Sequence, residues 1–231
     1  MAGDLLAGIA WECIDLSPGE AAAPDKLPRP GSDWLGATVP GTAAGALRAA
    51  GRWSWGVDDE SVLDGRDWWF RCRFPGGSEP GPWSLELGGL ATLADVWLNG
   101  RHLLPSENMF LAHRIVVDEL ARENELTIRC AALGPVLAAP HPRPRWKSRL
   151  VRAQSLRWYR TTLLGRVPAW SRWAAPVGAV AGGPSAFARV CGPARTEAHG
   201  ALRGPRGGRG GPRRAGAERR DAPGRPGARG R

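Results

Sequence analysis

The chain has 231 residues, 42% of them hydrophobic, and a formal net charge of +10. Residues 1–185 hold 20 Lys and Arg against 19 acids, residues 186–231 hold 12 Arg against 3 acids, and all 12 Trp fall within residues 11–173. Composition thus excludes a uniformly basic domain and predicts a folded domain over residues 1–185, long enough to bury one core, followed by a basic tail over 186–231.

In chain order, MAGDLLAGIAWECIDL carries an acid at Asp4, no basic stretch and only a short apolar run. Neither a signal peptide nor a membrane span is expected, and a cytoplasmic site is the default. Pro40-Gly41-Thr42 opens an Ala-rich stretch that Gly51 closes, which predicts the one convincing helix, over residues 42–50. Trp68, Phe70, Cys72 and Phe74 then alternate with Trp69, Arg71 and Arg73, the period of a strand with one apolar face. Trp83, Leu85 and Leu87 alternate with Ser84 and Glu86, and Val96 and Leu98 alternate with Asp95 and Trp97, implying two antiparallel strands. Asn99-Gly100 tolerates the positive φ of a type I′ turn, so residues 101–104 should fold back on the strand before them. Residues 115–117 and 125–130 read as further strands. Short strands, frequent Gly and Pro and almost no helix give the fold class: all-β, a jelly-roll β-sandwich.

Residues 135–149, PVLAAPHPRPRWKSR, are Pro-rich and basic, with Arg143, Arg145, Lys147 and Arg149 around Trp146. Pro142 and Pro144 favour an extended path over a helix. The stretch reads as a nucleic-acid stripe with an interleaved aromatic, or more simply as a loop that orders backbone and meets neighbouring domains. From residue 178 onward Ala, Gly, Pro and Arg dominate without hydrophobic period, and disorder is predicted. That tail is either an Arg-Gly-rich arm for RNA or DNA phosphates or a G+C-rich gene translated out of frame, which has the same composition. The out-of-frame reading, and with it a truncated protein, is favoured.

Cys13, Cys72 and Cys130 sit on or near apolar strand faces and Cys191 lies in the tail, without CxxC or other metal-ligand spacing. Buried free thiols are expected, with no metal and no cofactor. His102, His141 and His199 are scattered, so neither a helical zinc pair nor a Ser-His-Asp triad is supported. Asn108, Phe110 and His113 belong to a turn, NMFLAH, where Asn108 can cap and His113 can bond backbone.

The order DWLGATVPGTAAGAL, GRWSW, LDGRDWWFRCRF, LELGGLATLADVWLNG, SENMFLAH and ENELTIRC resembles the N-terminal sugar-binding-type, galactose-binding-like domain of family 2 glycoside hydrolases, closest to bacterial β-mannosidase-like proteins. Residues 11–170 carry the resemblance, with Asp95, Trp97, Asn99, Gly100, Asn108, Phe110 and His113 as its structural motif. It implies a non-catalytic jelly roll that in longer relatives leads to an immunoglobulin-like domain and a barrel. There two glutamates hydrolyse terminal β-glycosides by a retaining mechanism that needs carboxyl groups about 5–5.5 Å apart. Asn124-Glu125 imitates the family's Asn-Glu acid/base dipeptide, but strand alternation turns Glu125 outward to solvent. No catalytic residue is therefore assigned, and the chain resembles a glycosidase that lacks its barrel.

The resemblance also implies a sugar contact at Arg157-Trp158-Tyr159-Arg160, where the family carries Trp-Asp-Trp-Gly. Trp158 offers a flat face to a pyranose or packs a domain interface. Tyr159 stands in place of the acid and Arg160 follows it, which leaves the sugar open. The implied partners are a β-mannoside-like carbohydrate and the missing downstream domains, against which Trp170 and Trp173 would pack. A stand-alone carbohydrate-binding module and nucleic-acid binding through the tail are the alternatives; no membrane partner is expected.

Overall fold

Alternation of apolar residues with period two dominates the chain, and strands dominate the computed structural model. The structure describes residues 4–29, 31, 33–54, 61–78, 81–142, 146–151, 153–167, 174–180 and 188–192, all within one compact unit, Met1–Arg195. Its elements are β1 (Trp11–Leu16), β2 (Leu35–Ala37), α1 (Ala43–Ala49), α2 (Ser61–Asp64), β3 (Asp67–Pro75), β4 (Trp83–Leu87), β5 (Leu90–Ala91), β6 (Ala94–Leu98), β7 (Arg101–Ser106), β8 (His113–Val117), β9 (Glu123–Cys130), α3 (Leu133–Ala138), β10 (Gly178–Ala179) and β11 (Ala188–Cys191). Short 3₁₀ turns cover Pro24–Lys26 and Gln154–Trp158.

The strands form a six-stranded sheet in the order β2-β1-β3-β9-β6-β7, a three-stranded sheet β11-β4-β8 and a two-stranded pair β10-β5. Every named pairing is antiparallel. One hydrophobic cluster joins Trp11, Phe70, Val96 and Ile128 of the large sheet with Trp83, Leu85, Leu87 and Val190 of the small one, the interdigitated interior of a β-sandwich. The all-β sandwich predicted from the sequence is the fold observed.

The turn after β6 has the predicted form: φ is 53° at Asn99 and 77° at Gly100, and Leu98 faces Arg101 across it. Asn99 also clips the turn to β9, its Oδ1 accepting from the Glu125 amide at 2.8 Å and its Nδ2 donating to Asn124 Oδ1 at 2.9 Å. α1 starts where expected, with Thr42 Oγ1 accepting from the Gly45 amide at 3.2 Å.

Four expectations are corrected. The strands at 83–87 and 94–98 do not pair with each other; β4 bonds to β8 and β11, β6 to β7 and β9, and residues between them cross from one sheet to the other. Alternation reports a strand's two faces but not its neighbour, and a six-residue connection spans a sandwich as readily as it closes a hairpin. Second, α1 is not the one helix. Residues 135–138 belong to α3, where Pro135 lies in the first turn, a position that has no intrahelical bond to donate.

Third, Trp69 and Arg71 lie on the outer face of β3 as predicted, yet both are buried. Ala21, Leu27 and Trp34 pack over this face against Trp69 and Trp97. The Arg71 guanidinium sits 3.8 Å from the Trp34 ring centroid and donates from Nη2 to Glu12 Oε1 at 2.6 Å. Fourth, the folded unit runs past the composition boundary at residue 185. Ala188 and Val190 point inward on β11, whose register puts Val190 opposite Leu85, so four residues inside the expected tail complete the small sheet. A strand this short leaves no readable period amid Ala, Gly and Arg. Gly178 and Ala179, at the start of the stretch expected to be disordered, likewise form β10. At φ 137° an added Cβ on Gly178 would stand 2.9 Å from Phe70 Cζ, so only glycine fits.

Cys13, Cys72 and Cys130 are buried in the core and Cys191, expected in the tail, ends β11 half-exposed. Among the described residues no helix is long and apolar enough to cross a membrane.

Candidate functional site

A strap after α3, described at residues 146–151 and 153–167, joins the sheets through one isolated bridge among the described residues, and it carries Trp158, Tyr159 and Arg160. Its 3₁₀ turn anchors through Leu156, which is buried, while the Tyr159 amide donates to the Leu156 carbonyl at 3.1 Å. The next residues leave the turn, and Trp158 is left with half of its surface open, 51% exposed.

The ring of Trp158 stacks loosely on His141, with centroids 6.5 Å apart and planes 16° from parallel, and Tyr159 meets the same imidazole edge-on at 5.9 Å. His141 is held by its Nε2–H, which donates to the Val136 carbonyl at 3.1 Å at the end of α3. Beside them the Arg157 guanidinium lies 4.3 Å over the exposed ring of Trp146. Its Nη1 donates to the Trp146 carbonyl at 3.0 Å and its Nη2 to Gln154 Oε1 at 2.8 Å. The arrangement is an aromatic surface, backed by an imidazole and stiffened by a guanidinium whose Nε, Nη1 and Nη2 each donate within the strap.

Arg160 brings this strap to the NMFLAH turn. Asn108 and Arg160 form an isolated parallel bridge, and the Met109 amide donates to the Arg160 carbonyl at 3.0 Å. Asn108 Oδ1 caps its own turn, accepting from the Phe110 amide at 3.0 Å, and the Phe110 ring is 67% exposed. Two stretches distant in sequence therefore meet at Asn108 and Arg160, two residues from Trp158. His113 points elsewhere. Its Nε2 shares a hydrogen bond of 3.0 Å with Ser106 Oγ, and burial lowers its pKa.

Of the remaining motif residues, Asn99 and Gly100 form the turn after β6, and Asp95 and Trp97 lie on the outer face of the large sheet. Trp97 stacks on Trp69 with centroids 5.2 Å apart, and Asp95 Oδ1 lies 3.0 Å from His102 Nε2. Glu125 is on this face too, where its carboxylate meets Arg73 at 3.0 Å and Arg71 at 4.0 Å; strand alternation turns it outward, but ion pairs rather than water take much of its surface. Among the described residues no three His, Cys, Asp or Glu side chains converge as a metal site requires. Arg143, Arg145, Trp170, Trp173, His199 and most of the basic tail lie outside the described residues.

Sequence reasoning singled out Trp158 and Trp146 but gave His141 no role; one histidine at the end of a Pro-rich run has no signature until a helix turns it toward an aromatic ring.

Residues 21–170 match the family model described as glycosyl hydrolase 2 galactose-binding domain-like. β-Mannosidase B of Emericella nidulans is 34% identical over 131 residues, which cover 49% of this chain and 15% of that protein. Among solved structures, β-D-mannosidase from Dictyoglomus thermophilum matches with a TM-score of 0.45 at 25% identity, over 57% of this chain and 16% of that one. An exo-chitosanase from Amycolatopsis orientalis matches with a TM-score of 0.44 at 16% identity, over 56% and 16%. The chain thus spans less than a fifth of the relatives it resembles.

Proposed function

The chain belongs to the glycosyl hydrolase 2 galactose-binding domain-like family, and from that premise we propose that its sandwich is the carbohydrate-recognising, non-catalytic domain of a β-mannosidase-like glycoside hydrolase. The observation that carries the reading is the reach of the family match, which extends over residues 21–170 and so takes in the Trp158 strap with the sandwich. The 34% identity to a β-mannosidase supports a terminal β-mannoside as the sugar. Trp158 supplies the platform: C–H faces of a pyranose pack on an aromatic ring, and a ring with half its surface open has room for one. Tyr159 and Arg160 flank it, so hydroxyl groups meet a phenol and a guanidinium where relatives resembling this chain offer a carboxylate.

Hydrolysis is assigned to parts of such a hydrolase outside this sandwich. Glu125 supports that division, since its carboxylate is taken up by Arg73 and Arg71 on a sheet face, whereas a retaining site sets two carboxyl groups about 5–5.5 Å apart around one bond. The natural partners of the strap edge are then further domains of the hydrolase, and a cytoplasmic location is proposed with them.

Titrating the chain with methyl β-mannoside while following Trp fluorescence tests the reading. A saturable change that Trp158→Ala removes is the expected result; a change that survives the substitution, or no change, would overturn the platform. Release of aryl alcohol from an aryl β-mannoside by the purified chain, abolished in Glu125→Gln, would overturn the non-catalytic assignment.

A further inference from the structure

A side chain at the far end of the strap does more than fill space. Arg166 is buried, its side chain 6% exposed, and it reaches back across 102 residues of sequence to Asp64 at the end of α2. The contact is bidentate: Nε donates to Asp64 Oδ2 at 2.8 Å and Nη2 to Oδ1 at 2.8 Å. The remaining nitrogen, Nη1, turns into the strap itself, donating to Thr161 Oγ1 at 3.2 Å and to the Thr162 carbonyl at 3.0 Å. One planar guanidinium therefore ties the strap to the sandwich and closes the strap's own loop, a fork geometry that a lysine cannot reproduce.

The chain of contacts continues to the platform. The Thr162 amide donates to Met109 Sδ at 3.0 Å, Thr161 Oγ1 bonds to Thr92 Oγ1, and the Met109 amide holds the Arg160 carbonyl. Trp158 is two residues before that carbonyl. Together with the buried Leu156 and the Asn108–Arg160 bridge, these bonds fix residues 156–166 to the sandwich. A segment with so few ladder bonds opens locally at low free energy unless something pins it.

We infer that Arg166 is a positioning residue for the Trp158 platform: its buried ion pair with Asp64 holds the strap so that Trp158, Tyr159 and Arg160 stay ordered beside the turn at Asn108 and Met109 before a sugar arrives. The inference rests on the proposal that Trp158 meets sugar, and it adds the device that preorganises that contact.

The test uses the full chain and three readouts. In Arg166→Met, amide hydrogen exchange over residues 154–167 should quicken at least tenfold while β3 and β9 keep their wild-type protection. Iodide quenching of the Trp158 emission, taken as wild type minus Trp158→Phe, should rise in the same variant. Where the wild-type chain binds methyl β-mannoside, the affinity should fall about tenfold, and the reversed pair Asp64→Arg with Arg166→Asp should recover part of it. Unchanged strap exchange, exchange quickened equally in β3 and β9, or a loosened strap with unaltered affinity would each overturn the inference. A wild-type chain that ignores the mannoside sinks the sugar reading alone, because strap exchange and iodide quenching still decide whether Arg166 holds Trp158 in place.

Discussion

At the scale of single residues, the thiols show how burial converts sequence into pH response. Desolvation in the core pushes Cys13 and Cys130 up to about 12, and it raises Cys72 as well. An unfolded chain gives up these protons near the ordinary thiol value, about 8.5, while the native chain keeps them. Stability contributed by the three thiols is therefore complete below that value and declines as pH rises from there towards 12. Urea midpoints measured at pH 7.5 and 10 should fall, and less steeply in Cys13→Ala. Native chain should expose Cys191 alone to a thiol reagent among its four cysteines, with all four reacting in denaturant. His113 runs in the opposite direction. Its pKa is lowered by burial, so its share of stability is complete above the ordinary histidine value, about 6.5, and fades as pH falls through the depressed one. His113→Gln should flatten the dependence of Tm on pH between 7 and 5.

Elements differ in how they are held. α1 is short, seven residues, and depends on its cap; Thr42→Ala should destabilise the fold by about 1 kcal/mol in equilibrium denaturation. β11 depends on one inward position. Val190, 3% exposed, lies on the core face and Arg189 on the open one. Val190→Asp should cost about 3 kcal/mol through a buried unpaired charge, while Arg189→Ala, which gives up only a half-exposed pair with Asp4, should stay within about 1 kcal/mol, both read from the same denaturation curves. The contrast also separates what could be read in advance from what could not. β3, β6 and β9 were legible because each runs five residues or more with strict alternation, and the turn at Asn99-Gly100 because few residue pairs accept its dihedrals. β11 and β10 were not, since two to four residues carry no period and owe their conformation to β4 and β5. The strap's site was half legible: an exposed Trp can be named from sequence, but His141 and Arg166 gain their roles only from contacts with Val136 and Asp64, which no local pattern announces.

For the molecule as a whole, the two faces of the large sheet are covered by unlike means, the inner one fully and the outer one in part. The inner face packs aliphatic and aromatic side chains against the small sheet, and part of the outer face is covered by Ala21, Leu27 and Trp34, with Trp34 over Arg71 beside the Trp69–Trp97 stack. Reading β3 as a half-solvated strand missed this because a Trp and an Arg on one face look polar until another segment lies on them. The small sheet is closed differently again. The Leu5 amide donates to the Val190 carbonyl at 3.0 Å, and the Val190 amide donates to Asp4 Oδ1 at 3.1 Å. Residues near 4 and near 190 are thus neighbours in space, so the fold is a ring in all but one covalent link. A circular permutant that joins these two points by a short glycine linker and opens between Asp118 and Glu119, both exposed, should fold to the same sandwich. Its new ends would then leave from the turn between β8 and β9.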